Sequence, residues 1–334
     1  MLEHGGKLRA AARKYGIPER EWLDLSTGIN PEGYPVPALS AEAWRRLPDG
    51  DDTLRIAAAR YYGSESLLPV AGSQAAIQAL PRLRTTSRVG ILSPTYGEHA
   101  HAWRRAGHTV RELGAEAIEA SLDALDVVVL ANPNNPTGLR LDRETLLGWR
   151  ARLVARGGWL VVDEAFMDAA PEESLVVQAS EPGLIVLRSL GKFFGLAGAR
   201  VGFVFADPDL LHALEEELGP WTVTGPAQAI AAKALSDDAW QEASRVRLAI
   251  ASARLQRLLT EHRLAPSCGT VLFQWIRTSQ AAILHEQLAR RGILTRLFAS
   301  PASLRFGLPG NELQWQRFTQ ALQEIGAHVA METP

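Results

Sequence analysis

Residues 188–202 read RSLGKFFGLAGARVG, so Lys192 follows a hydroxyl, Ser189, by three positions and precedes Arg200 by eight. An apolar run, Leu184–Leu187, leads into this stretch and a second, Val201–Phe205, completes it. Both runs have the length and branching of buried strands, which makes the glycine-rich segment between them a turn at a sheet edge. A lysine placed there forms an imine with an aldehyde when burial and neighbouring cations lower its pKa. Ser189 and Arg200 are both suited to a phosphate, the arginine through its planar fork of donors. An isolated Ser-x-x-Lys is more often a surface loop, so its neighbours decide the reading.

Three other segments offer matching chemistry. In WLVVDEAF, residues 159–166, Asp163 closes an apolar strand at the edge where open α/β sheets bind ligands, and a carboxylate there suits a protonated pyridine nitrogen. In ANPNNPTG, residues 131–138, prolines on either side of Asn134 and Asn135 stiffen the backbone and hold Asn135 ready to donate to a phenolate oxygen. In VAGSQAAI, residues 70–77, Gly72, Ser73 and Gln74 open a helix whose first N–H groups can receive a phosphate. Tyr96, in SPTYGEH, is placed to stack on a ring.

The expected strands are Arg88–Leu92, Thr109–Leu113, Val127–Leu130, Trp159–Val162, Leu184–Leu187 and Val201–Phe205, with helices at Gln74–Leu83, Arg143–Arg156 and Pro208–Leu218 between them. This alternation predicts an α/β fold around a mostly parallel sheet. After Pro226 a long helical stretch near Asp237 to His262, strands at Val271–Ile276 and Leu304–Gly307, a helix at Gln280–Arg291 and a closing helix after Pro309 predict a smaller α+β domain. The expected organisation is an arm over 1–37, a large domain over 38–225 and a small domain over 226–334.

These residues, in this order, resemble the fold-type-I pyridoxal-phosphate enzymes, the aspartate-aminotransferase fold. The resemblance runs over most of the chain. It implies that Lys192 carries the cofactor as a Schiff base, that Asp163 pairs with the pyridine nitrogen and that Asn135 contacts the phenolic oxygen. It further implies that Gly72, Ser73, Gln74, Ser189 and Arg200 surround the phosphate and that Tyr96 stacks on the ring. Two departures stand out: Phe166 replaces a tyrosine that many aminotransferases place on the phenolic oxygen, and Leu47 replaces a tyrosine that histidinol-phosphate aminotransferases extend to the partner subunit's cofactor phosphate.

Within that family HGG at 4–6, LDLSTGINPEG at 23–33 and PWTVTGPAQ at 220–228, with the phenylalanines of DEAF and GKFF, resemble the threonine-phosphate decarboxylases of cobalamin synthesis. This resemblance implies that His4, Gly5, Asn30, Arg296 and Arg305 bind the anionic groups of a phosphorylated amino acid. A glycine pair lets the backbone approach a phosphate and a histidine donates to it. Two alternatives stand beside this reading: an aminotransferase of the histidinol-phosphate type, and a noncatalytic pyridoxal-phosphate-binding module. Decarboxylation and transamination differ in which bond at the substrate Cα stands perpendicular to the ring, a torsion that motifs do not specify.

Composition bounds the partners. With 334 residues, 46% hydrophobic and 22% charged, the chain has enough apolar material for a large core and a smaller second one. A net charge of −2 with interspersed signs offers no field for nucleic acid or an anionic membrane. Cys268 is the single cysteine, which excludes an intramolecular disulfide and suits a reducing cytoplasm. His99 and His101 are two apart and would diverge on a helix, and no carboxylate and histidine set has ligand spacing, so no metal is expected. By the same family resemblance a homodimer is expected.

Overall fold

The computed structural model describes residues 4–48 and 52–331, and the side chains of all these but 327–331. The first three residues of the expected arm and residues 49–51 of the RRLPDGD segment lie outside it. The chain divides into two compact units: Gly33–Asn135 with Leu139–Glu242, and the described parts of Met1–Glu32, Pro136–Gly138 and Ala243–Pro334.

The larger unit is built on a seven-stranded sheet. From one edge its strands are Leu67–Val70, Gly202–Phe205, Leu184–Ser189, Trp159–Asp163, Val127–Ala131, Arg88–Leu92 and Thr109–Leu113. Only Gly202–Phe205 runs against the others, pairing antiparallel with both neighbours. The central strands are apolar on both faces because helices cover both. All of Val127–Ala131 is buried, as are Leu160–Asp163 and Leu184–Arg188, the pattern of parallel strands with no solvent side. Val89, Ile91, Val129, Val161 and Ile185 pack with Ile77, Leu80 and Trp103 in one core.

Helix starts follow local chemistry. Asp142 caps Arg143–Val154 by accepting from Thr145 N, and Asp207 caps Pro208–Leu218 by accepting from Leu210 N, with proline at the first helical position. The expected Gln74–Leu83 helix is an α-helical Ser73–Ala79 continued by a 3-10 turn at Leu80–Leu83, which contains Pro81. The edge strand Leu67–Val70 and the helices Thr53–Tyr62, Glu98–Arg105, Ala115–Ser121 and Gly225–Leu235 were not among the expected elements.

The smaller unit holds an antiparallel sheet in the order Arg296–Phe298, Ser303–Gly307, Phe273–Arg277, Cys268–Thr270. Leu23–Asp24 pairs parallel with Ile293–Leu294, and Leu25 then links to Leu294 O and Gly307 N. Residues Leu23–Leu25 of the N-terminal segment are thus tied to strands of this unit. The units change over at Ala243, where the sequence pattern put a boundary after Gly225. Gly225–Leu235 stays with the larger unit because it packs on Thr53–Tyr62 and Glu42–Arg45. No helix among the described residues is long and apolar enough to cross a membrane.

Candidate active site

In the larger unit the C-terminal ends of three strands and the start of one helix surround a cavity lined by Ser73, Gln74, Tyr96, Asn135, Asp163, Ser189, Lys192 and Arg200. Residues scattered over 73–200 in sequence converge here because each follows or closes a strand of one sheet.

Asp163 ends the Trp159–Asp163 strand and is 6% exposed. Its Oδ1 accepts from Ala165 N at 3.0 Å, and its Oδ2 lies 3.0 Å from His99 Nε2. Both oxygens are thus oriented before any ligand arrives. Asn135 follows a loop held by two other asparagines. Asn132 exchanges two 3.0 Å bonds with the backbone of Leu141, and Asn134 donates to Pro94 O and accepts from Thr95 Oγ1. Tyr96 donates to Gln74 Oε1 at 3.1 Å, while Gln74 and Gln78 both donate to Glu98. Burial, then Glu98 and Asp163, push the Tyr96 phenol up to about 12, against the pull of Arg200, so it stays a neutral ring at physiological pH.

Gly72 and Arg200 lie against each other beside Ser73. Gly72 has φ 73° and ψ 154°, a region populated almost only by glycine. A Cβ there would come 2.6 Å from Arg200 Nη2. Arg200 itself is left-handed, with φ 55°, and its Nη1 donates to Ala197 O. Gly202 is equally constrained, since its Cβ would meet Ser73 N at 2.5 Å. Ser189 Oγ accepts from Gly191 N, and the Lys192 Nζ lies 5.4 Å from the centre of the Phe166 ring. These groups fit pyridoxal phosphate: hydroxyls and an arginine suited to a phosphate, a buried oriented carboxylate suited to a ring nitrogen, and a lysine amine lining the same cavity.

In the smaller unit Arg296 and Arg305 are cross-strand partners in register. Arg305 is 6% exposed and donates to Ser26 O at 2.8 Å. Burial and then Arg296 push its guanidinium down to about 10, with Asp24 opposing. Ser26 also accepts from Gly6 N at 2.7 Å and donates to Asp24 at 2.6 Å. Gly5 lies against the same residue: its Cβ would meet Ser26 O at 2.3 Å. Gly5 and Arg305 therefore converge on one carbonyl. Asn30 is buried with its Oδ1 turned to Glu32 N, and His4 is exposed.

Residues 21–322 match the family Aminotransferase class I and II. The chain belongs to that family. A threonine-phosphate decarboxylase of Pseudomonas aeruginosa is 58% identical over 96% of this chain and 97% of that protein. One from a Sinorhizobium species is 44% identical over 97% and 98%. The solved histidinol-phosphate aminotransferase of Sinorhizobium meliloti, in complex with pyridoxal-5'-phosphate, shares the fold with a TM-score of 0.81, 21% identity and coverage of 98% and 96%. The central α/β sheet is the aspartate-aminotransferase fold.

In this family member the sequence left several site-building residues unnoticed. The spacing of His99 and His101 speaks only against a metal site, yet His99 is 1% exposed and bonded to Asp163, while His101 is exposed. His99 follows Tyr96 by three residues, and the two ring centres lie 6.0 Å apart. Glu98 carried no signal, because it acts through Gln74 and Gln78, 20 or more positions away.

Proposed function

We propose that this chain catalyses decarboxylation of L-threonine O-3-phosphate, giving carbon dioxide and (R)-1-aminopropan-2-ol O-2-phosphate for cobalamin synthesis. The full-length likeness to two threonine-phosphate decarboxylases carries the reading. Its cofactor is pyridoxal 5'-phosphate, which when bound supplies an aldehyde for the substrate amine and an electron sink for the pair left by the departing carboxylate.

The chain's own groups have separate tasks. Lys192 Nζ would hold the cofactor through its aldehyde and would carry the proton delivered to the substrate Cα. Asp163 keeps a proton on the ring nitrogen, and His99 with Ala165 N holds that carboxylate in place. Asn135 donates to the phenolic oxygen. Ser73, Ser189, Arg200 and the amides after Gly72 hold the cofactor phosphate. Arg296, Arg305, Gly5, Asn30 and His4 receive the anionic substrate. By gripping the substrate phosphate, these residues would orient the substrate so that its carboxylate is the group lost.

A homodimer in the cytoplasm completes the reading. Trp44, Leu47 and Trp221 expose 71%, 61% and 55% of their surface on the larger unit, apolar area that a second copy would cover. Cys268 is an exposed free thiol, which suits a reducing compartment. Sedimentation showing a fully active monomer would remove the dimer from this picture.

The deciding assay supplies threonine phosphate with no keto acid and follows carbon dioxide. Stoichiometric release supports a decarboxylase. A strict keto-acid requirement with no carbon dioxide would make the chain an aminotransferase of the histidinol-phosphate type.

A further inference from the structure

Successive residues of an extended strand face opposite ways, so the groups next to Asp163 and Ser189 point away from the cavity. Those groups are Glu164 and Arg188, and they meet. Arg188, 1% exposed, donates from Nη1 to Glu164 Oε2 at 2.9 Å and from Nη2 to Asp168 Oδ1 at 2.5 Å. Both carboxylates are 0% exposed. Glu164 also accepts from Ser174 Oγ at 2.5 Å and Leu175 N at 2.8 Å, while its own N–H continues the sheet ladder to Leu187 O. Asp168 accepts from Tyr61 OH at 3.2 Å. The guanidinium lies 4.8 Å from the centre of the Tyr62 ring, and that ring packs on Phe203 and Phe205. Tyr61 meets Phe194, two residues beyond Lys192, edge-on at 5.5 Å.

One cation thus ties together the strand end that carries Asp163, the strand end that carries Ser189, the loop after Phe166 and, through Tyr61, the Lys192 turn. Burial raises the Glu164 pKa, and Arg188, together with the donors Leu175 N and Ser174 Oγ, opposes that shift. Buried ion clusters contribute little to net stability, since neutral groups of similar volume often replace them without loss. Their directional bonds do fix geometry. We propose that Arg188 is a positioning residue for the reaction: acting through Glu164 and Asp168, it sets the spacing between Asp163 and the Ser189–Lys192 turn. The proposal rests on the assignment of Asp163 and Lys192 to the cofactor.

The test compares holoenzymes of wild type, Arg188→Lys, Tyr61→Phe and the triple variant Arg188→Met/Glu164→Gln/Asp168→Asn. The triple variant removes all three charges together and so strands none. Its melting temperature is expected near wild type, whereas the pH midpoint of the cofactor's visible absorbance band moves by about half a unit or more. Its kcat falls about tenfold with KM within about twofold, the split expected when transition-state geometry is lost and ground-state binding is kept. Arg188→Lys keeps the charge without the fork and lies between the two, and Tyr61→Phe moves the midpoint in the same direction by less. If the triple variant does not accumulate as folded protein, these two milder variants decide alone. Folded variants with wild-type midpoint and kcat overturn the proposal, as does a loss of kcat that only tracks a loss of melting temperature. The absorbance comparison uses no substrate, so it stands even if threonine phosphate proves not to be turned over. A Lys192→Ala holoenzyme that keeps the band would instead show that the cofactor assignment itself is wrong.

Discussion

Replacing Gly72 by alanine probes the junction of backbone strain and cofactor binding. At φ 73° and ψ 154° an alanine is strained by about 1–3 kcal/mol. Its Cβ would also lie 2.6 Å from Arg200 Nη2 and 3.1 Å from Cζ. Ordinary contact needs about 3.5 Å, so the guanidinium must retreat by roughly 1 Å. A charge-assisted hydrogen bond contributes about 1.5–3 kcal/mol, and losing most of one weakens cofactor binding by about 10- to 100-fold. Stripping the protein of cofactor and titrating pyridoxal phosphate back, with the visible band as signal, measures that change. Gly198→Ala is the control, since a Cβ there meets nothing within 4 Å although it lies two residues from Arg200. A folded Gly72→Ala protein whose dissociation constant stays within about twofold of wild type would show that Arg200 does not hold the phosphate.

Other outcomes follow from single contacts. Lys192→Ala should fold normally yet lose the visible band and all turnover, and residual turnover near wild type would exclude Lys192 as the cofactor lysine. Gly5→Ala, whose Cβ would come 2.3 Å from Ser26 O, should raise KM for threonine phosphate about tenfold with little change in kcat, as expected for lost uniform binding. An unchanged KM would separate the N-terminal glycines from the substrate. Arg296→Ala should raise KM and also the ratio of inorganic phosphate to carbon dioxide, because a loosened substrate lets its Cβ–O bond align with the π system. A constant ratio would limit Arg296 to affinity. Acid stability should depend on Asp126, which the Arg88 fork holds down to about 2. A depressed carboxylate pKa stabilises the fold above its unfolded value near ~3.9 and loses that contribution as pH falls through the folded value. Asp126→Asn should therefore cost about 1 kcal/mol at pH 7, a screened surface pair, in urea melts, and the difference should shrink between pH 4 and 2. A difference constant down to pH 2 would contradict this.

The α/β core was legible in the sequence because its strands are buried on both faces: VVVLA and LIVLR leave no other reading for runs so short and apolar. The cofactor residues were legible for a related reason. A ligand at the C-terminal edge of a sheet draws on residues that immediately follow strands, so Asp163, Asn135 and the Ser189–Lys192 turn are marked by local pattern. Chain entry into the smaller unit was not, since two residues at Leu23–Asp24 pair with a segment some 270 positions later, and a two-residue strand has no periodicity. The switch at Ala243 likewise depends on what Gly225–Leu235 packs against, which an alanine-rich helix does not declare. Only the tertiary structure turned His99 from a rejected metal ligand into the partner of Asp163, brought Gly5 and Arg305 to the carbonyl of Ser26, and joined Arg188 to Glu164 and Asp168. Hydrogen bonds and ion pairs between distant segments depend on where side chains end in space, and sequence spacing encodes that only within one helix or strand.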